Sequence, residues 1–110
     1  AEIGRLVTPR TKAVSVIHYQ GVAAEMELIQ KEAHRRGLFV VEDCAQSLGT
    51  TYRGRQIGTW SDVAIYSFQY NKIATCGEGG MVVTRDQRIY ERAVRLREDR
   101  AIASSGGVTV

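Results

Sequence analysis

Short β-branched runs alternate along this chain with longer stretches whose apolar residues recur at helical spacing. Ala13 to Tyr19 (AVSVIHY) is apolar and β-branched, which predicts a strand fit for burial, and Gly21 breaks it. From Val22 to Arg36, apolar residues fall at Val22, Met26, Ile29 and Ala33, with Glu25, Glu27, Lys31 and Arg35 elsewhere. That stripe predicts a helix. Its early acids and late bases suit the helix dipole, and Gly37 supplies a C-terminal stop. Leu38 to Val41 is the next predicted strand. A strand-helix-strand unit of this kind makes the two strands parallel with a right-handed crossover.

Ser47 to Ser61 shows no sustained period and contains Gly49, Gly54 and Gly58, so it reads as a long loop of the functional or covering kind. Asp62 to Phe68 is a third strand, Gln69 to Gly80 a turn-rich excursion, and Met81 to Thr84 a short fourth strand. Asp86 is suited to cap a helix from Gln87 to about Ile102, with Ile89, Ala93 and Leu96 on its inner face. The residues after Ile102 read as loop. The pattern predicts an α/β fold with a mostly parallel sheet flanked by helices.

A chain of 110 residues holds one domain at most, and 44% hydrophobic with 25% charged residues is the composition of a soluble globular protein. No apolar stretch approaches membrane-spanning length and no charged-then-apolar leader opens the chain, so a cytoplasmic protein is expected. The net charge of +3 invites a nucleic-acid reading. Against it, Arg85, Arg88, Arg92 and Arg95 are interleaved with Asp86, Glu91, Glu98 and Asp99, the pattern of a solvated helix face with local ion pairs. Cys44 and Cys76 lie far apart with no CxxC motif, so neither a zinc site nor a disulfide framework is expected. Cys44 reads as a small buried residue and Cys76 as accessible.

Lys72 is one of only three lysines beside twelve arginines, and it follows an apolar run, Val63-Ala64-Ile65-Tyr66. Another apolar run, Leu38-Phe39-Val40-Val41, ends in Glu42-Asp43-Cys44-Ala45-Gln46. Ligands of open α/β sheets collect at the carboxyl ends of the strands, so an acid and an amine delivered there can share one site. Such a pair is what pyridoxal-phosphate chemistry uses: an amine to form a Schiff base with the aldehyde, and a carboxylate to keep the ring nitrogen protonated. Asp43 serves equally as a helix cap or loop anchor, Lys72 as a surface lysine, and Ser67 as an ordinary strand hydroxyl. Glu42, next to Asp43 in a strand, points to the other face and reads as structural or as a partner for an arginine. His18 ends a strand, where it either faces the site or is a satisfied structural histidine, and His34 reads as solvated. Tyr52, Arg53, Arg55 and Trp60 are candidates to reach substrate or a neighbouring subunit.

Glu42-Asp43-Cys44-Ala45-Gln46-Ser47, Tyr52-Arg53-Gly54-Arg55, Ser67-Phe68-Gln69-Tyr70-Asn71-Lys72 and Gly77-Glu78-Gly79-Gly80 together resemble the DegT/DnrJ/EryC1/StrS aminotransferases. Val16-Ile17-His18-Tyr19-Gln20-Gly21 is similar to the His-x-x-Gly strand and turn of that family. The resemblance runs from about Thr8 to Arg85 and implies part of the large domain of a fold-type I pyridoxal-phosphate enzyme. It implies that Lys72 carries the Schiff base and shuttles a proton. It also implies that Asp43 pairs with the pyridinium nitrogen, that Gln46 lies against the ring or bonds its 3-hydroxyl oxygen, and that Ser67 bonds the phosphate. Lysine rather than histidine at position 72 implies transamination rather than dehydration. The implied donor is glutamate or glutamine, the acceptor a keto sugar nucleotide or a cyclitol-type ketone, and the assembly a homodimer.

The family's glycine-threonine phosphate loop and its ring-stacking aromatic would precede residue 1, and an asparagine reaching the partner's phosphate would follow residue 110. Residues 1–110 are therefore expected to be a central piece of a longer enzyme, inactive in isolation. Two other readings stand beside this one. One is a non-catalytic cofactor-binding regulator on the same scaffold; the other is a receiver-type domain phosphorylated at Asp43, which the long glycine-rich loop fits badly.

Overall fold

A computed structural model describes residues 2–104 of the chain, with side chains described through residue 98. After a short helix α1 (Ile3–Leu6), strand β1 (Ala13–Ile17) leads through a single turn at Tyr19–Gly21 to helix α2 (Met26–Arg35) and strand β2 (Phe39–Asp43). Two short strands follow, β3 (Thr51–Tyr52) and β4 (Arg55–Gln56). Strands β5 (Val63–Ser67) and β6 (Gly80–Thr84) and helix α3 (Gln87–Ser104) complete the described chain. The sheet order is β1-β2-β5-β6, with β1, β2 and β5 parallel and β6 antiparallel to β5. The mostly parallel sheet expected from the apolar runs is thus what forms.

Val16 and Val40 on one face of the sheet pack with Met26 and Ala33 of α2 and with Leu38, all of them buried. A second cluster joins Cys44, Ile57 and Ala64. Burial of such side chains stabilises by roughly 1.5–3 kcal/mol each. Helix α2 stops as expected: Gly37 has φ 68°, its N–H donates to the His34 carbonyl (3.0 Å), and the Leu38 N–H donates to the Ala33 carbonyl (3.0 Å). Asp86 caps α3 through the Arg88 N–H at 2.8 Å.

Several boundaries differ from the sequence pattern. Helix α2 starts at Met26 rather than Val22, because the Val22 N–H is taken by the Tyr19 carbonyl and the Ala24 N–H by His18 Nδ1. Val22 is left exposed. The stretch from Ser47 to Ser61 is not loop throughout: it contains the β3–β4 hairpin, whose two-residue turn has Arg53 at φ 49° and Gly54 at φ 73°, both left-handed as a type I′ turn requires. Leu96 lies on the same side of α3 as Ile89 and Ala93, lining one hollow with Phe39, but is 60% exposed where they are half-buried. Helix α3 runs on to Ser104; residues 105–110, read from the sequence as loop, and the Asp99 side chain lie outside the described residues. No described helix is long and apolar enough to cross a membrane.

The covering loop leaves no room at Gly58. Its φ is +79°, and a Cβ there would lie 2.0 Å from the Tyr66 hydroxyl oxygen. Gly58→Ala is expected to destabilise the intact protein by about 2–4 kcal/mol in urea unfolding, through both backbone strain and overlap. Adding Tyr66→Phe, which removes the overlapping oxygen, should cost less than the sum of the two single changes. Simple additivity would show that the overlap is not what limits this position.

Candidate active site

The pleat of β2 separates two adjacent acids. Glu42 is fully buried on the α2 side, whereas Asp43, one residue on, faces the other way and is half-buried. The Glu42 carboxylate is enclosed by donors. Its Oε1 accepts from the Gly58 N–H (2.8 Å) and His18 Nε2 (3.1 Å). Its Oε2 accepts from the N–H groups of Trp60 (3.1 Å) and Ser61 (3.0 Å) and from the Ser61 hydroxyl (2.7 Å). None of these is an arginine, so of the two readings the sequence left for Glu42, structural or paired with an arginine, the geometry favours the structural one. The carboxylate binds the end of the covering loop to the middle of the sheet.

His18 is also fully buried, with every polar atom in use. Its Nδ1 accepts the Ala24 N–H at 3.1 Å, so the ring proton sits on Nε2 and is donated to Glu42. Its main-chain N–H donates to the Asp43 carbonyl at 3.1 Å, and its carbonyl accepts the Ser47 hydroxyl. His18 is therefore the satisfied structural histidine of the two readings the sequence left open. The sulfur of Cys44 lies near these two side chains, and the three ligand-type atoms fall within 4.8 Å of one another. Both imidazole nitrogens are already hydrogen-bonded to protein. Burial, reinforced by the Glu42 charge, pushes the Cys44 thiol up to about 12. The group packs as a hydrogen-bonded core cluster.

The ends of β2 and β5 bound a cavity of about 190 Å³ lined by Gln46, Ser47, Ser67, Asn71 and Lys72 among others. Of the sequence candidates, Gln46, Ser67 and Lys72 are brought together here. Asp43 does not line the cavity; its Oδ1 is turned back to accept the Ala45 N–H at 3.0 Å, and Ala45 is itself a lining residue. Gln46 accepts the Gln20 N–H on Oε1 at 3.1 Å. Ser67 Oγ accepts the Gln69 N–H at 3.4 Å, which leaves the hydroxyl proton to donate elsewhere. Lys72 is half-buried in a loop whose ends are tied together by Phe68 N–H to the Gly79 carbonyl (2.8 Å) and Cys76 N–H to the Phe68 carbonyl (3.0 Å). Gly77, at φ 85°, lets this loop double back into β6.

The loop aromatics and arginines are engaged locally. Tyr52 and Trp60 meet edge to face at 5.4 Å, Arg55 lies 4.5 Å over the Trp60 ring, Tyr52 donates to Glu25 (2.9 Å), and Arg53 pairs with Glu27. They pin the hairpin to the start of α2 and do not line the cavity. His34, read as solvated, lies 3.4 Å from Asp62 and is about half exposed. As the interleaved charges suggested, Arg88 bonds Asp86 at 2.8 Å. Cys44 is buried and Cys76 exposed, both as expected.

This architecture is an α/β fragment with a cavity at the carboxyl edge of its sheet, where open α/β sheets collect ligands. Residues 1–103 match the DegT/DnrJ/EryC1/StrS aminotransferase family, and the chain belongs to it. It is 42% identical over 97 residues to GDP-perosamine synthase of Escherichia coli O157:H7, covering 88% of this chain and 27% of that protein. It is 43% identical over 101 residues to L-glutamine:2-deoxy-scyllo-inosose aminotransferase of Streptomyces fradiae, covering 92% and 24%. Among solved structures, S. venezuelae DesV in complex with a ketimine intermediate superposes with a TM-score of 0.77 at 45% identity, over 82% of this chain and 24% of that one. The chain spans about a quarter of the length of these relatives. The family's cofactor is pyridoxal 5′-phosphate.

The buried cluster generates two predictions. Each oxygen of Glu42 accepts from at least two groups, so in Glu42→Gln the new NH₂ meets a donor whichever way the amide turns. The change should cost about 3–5 kcal/mol in urea unfolding despite the unchanged shape; a loss below about 1 kcal/mol would show that the carboxylate is not the anchor. The second concerns alkaline pH. Burial raises the Tyr66 hydroxyl from 10.0 to about 12, as it raises Cys44 from 9.0 to about 12, so the folded state holds both protons longer than the unfolded chain. This stability is complete below about pH 9 and is lost as pH rises towards 12. Tyr66→Phe combined with Cys44→Ala should flatten the decline of the unfolding midpoint between those limits, and an unchanged slope would refute the assignment.

Proposed function

We propose that the intact protein is a pyridoxal-phosphate-dependent aminotransferase. It transfers an amino group from glutamate or glutamine to a keto sugar nucleotide or a cyclitol-type ketone. The observation that carries this reading is the meeting of Gln46, Ser67 and Lys72 in one cavity at the carboxyl edge of β2 and β5, beside the strand end that carries Asp43. The relatives named above, one acting on a cyclitol ketone by its name and one making a GDP-linked sugar, support the substrate class.

The residues present suit the cofactor chemically. Lys72 offers an amine for the aldehyde carbon, Asp43 keeps one carboxylate oxygen beyond its bond to Ala45, Gln46 keeps its NH₂, and Ser67 keeps a hydroxyl proton for a phosphate oxygen. When bound, pyridoxal phosphate supplies a protonated aromatic ring that draws electrons from the donor's α-carbon. In this reading Asp43 holds the proton on the ring nitrogen. Lys72 would hold the cofactor through its amine and, once displaced by substrate, would move a proton on Nζ between the substrate carbon and the cofactor carbon that bears the transferred nitrogen. The balance is an exchange: the donor leaves as its keto acid, its new carbonyl oxygen taken from water, and the acceptor leaves as the amine, its oxygen lost as water. We place the enzyme in the cytoplasm as a homodimer.

The test is borohydride reduction of the cofactor-loaded intact protein followed by peptide mapping. A pyridoxyl adduct on Lys72 is expected, and a folded, cofactor-saturated protein without one would defeat the aminotransferase reading. Lys72→Ala should lower turnover by at least about 10²–10⁴-fold, the usual contribution of a positioned acid-base group. Asp43→Asn should lower turnover while the Lys72 adduct still forms. Retained adduct with no transfer to any keto acceptor would mark a regulator instead.

A further inference from the structure

The turn after β1 holds a strained backbone where it meets the cavity. Gln20 has φ 50° and ψ 38°, a left-handed conformation that side chains other than glycine rarely adopt. That conformation accompanies a single long-range contact, from the Gln20 N–H to Gln46 Oε1 at 3.1 Å, across 26 positions of sequence. The turn cannot easily relax, because it is held on both sides. His18 is fixed at all its polar atoms, the Val22 N–H closes on the Tyr19 carbonyl at 2.9 Å, and the Thr50 hydroxyl donates to the Gly21 carbonyl at 3.1 Å.

A main-chain N–H can only donate, so the Gln46 atom it meets is the carbonyl oxygen and the NH₂ is the free end. Gln46 lines the cavity. We propose that Gln20 is a positioning residue for Gln46: its N–H locks the amide so that the site presents an NH₂ donor, and not a carbonyl, to an acceptor oxygen of the molecule held there. The proposal rests on the cofactor reading above. An unlocked amide would sample both orientations, one of which sets two acceptors against each other. His18 and Glu42 act one step further back, holding the turn from below.

The experiment compares Gln20→Val, Gln20→Gly and Gln46→Ala in the intact protein. A β-branched residue resists the left-handed well and withdraws the N–H, whereas glycine keeps both the N–H and the backbone conformation. Pyridoxal-phosphate affinity is read by titrating its visible absorption, with unfolding midpoints measured alongside. Gln20→Val and Gln46→Ala should each weaken the affinity by up to about tenfold, the effect of one neutral hydrogen bond, and Gln20→Gly should match the parent. In the Gln46→Ala background, Gln20→Val should add no further loss of affinity even where it lowers the midpoint. Additive losses, or parental affinity in Gln46→Ala, would overturn the proposal while leaving a Lys72 adduct intact. Absence of that adduct in the parent protein would overturn the cofactor reading and this proposal together.

Discussion

The buried carboxylate of Glu42 is the constraint on which the described structure turns. A charge withdrawn from water without partners carries a desolvation penalty of at least several kcal/mol, and hydrogen bonds to a charged group each return about 1.5–3 kcal/mol. Glu42 collects five donors from two directions: the histidine at the end of β1, and the backbone and hydroxyl of the segment from Gly58 to Ser61. The covering loop takes a path that satisfies that set. On that path the loop buries Ile57 against Cys44 and Ala64 and accepts Tyr66's hydroxyl bond at the Ile57 carbonyl (2.9 Å).

Strand geometry then converts this anchor into a site. Neighbouring residues of a strand face opposite ways, so fixing Glu42 on the helix side delivers Asp43 to the other. Past Asp43, the Cys44 N–H still pairs with the Ile65 carbonyl at 2.9 Å, and the Ser47 N–H with the Cys44 carbonyl at 3.1 Å. The chain from Asp43 to Ser47 is thus a short rigid connection rather than a mobile loop, and it forms one wall of the cavity. The opposite wall is the excursion carrying Lys72, closed at its base by the Phe68–Gly79 and Phe68–Cys76 bonds. Polar groups on both walls, Gln46 on one and Lys72 on the other, sit on segments held by backbone ties, which favours a site formed before any ligand arrives.

What could be read from the sequence follows from how local each signal is. The three parallel strands and the crossover helix were legible because the strands are near-continuous apolar, β-branched runs, and Gly37 marks the helix stop within a few residues. The β3–β4 hairpin was not, since two-residue strands carry no period and the turn places Arg53, not glycine or asparagine, at positive φ. The start of α2 was misread because Val22 fits the helical stripe, while the feature that delays the helix is a histidine nitrogen four positions upstream. Asp43, Gln46, Ser67 and Lys72 could be named from motif and strand-end position. The tie from Gln20 to Gln46 could not, because no local rule links residues so far apart.

Glu42 and His18 show the limit most clearly, and also the clue that was available. Each is a polar residue at a position where the surrounding pattern is apolar and β-branched, and each proves to be fully buried. A buried polar side chain must find partners, so its presence in such a run predicts a network even when the partners cannot be named. Apart from His18 itself, the partners of Glu42 lie 16 to 19 positions away, within the segment that has no periodicity of its own. That segment is ordered by what it binds and not by its own propensities, which is why its path became visible only once the carboxylate it satisfies had been placed.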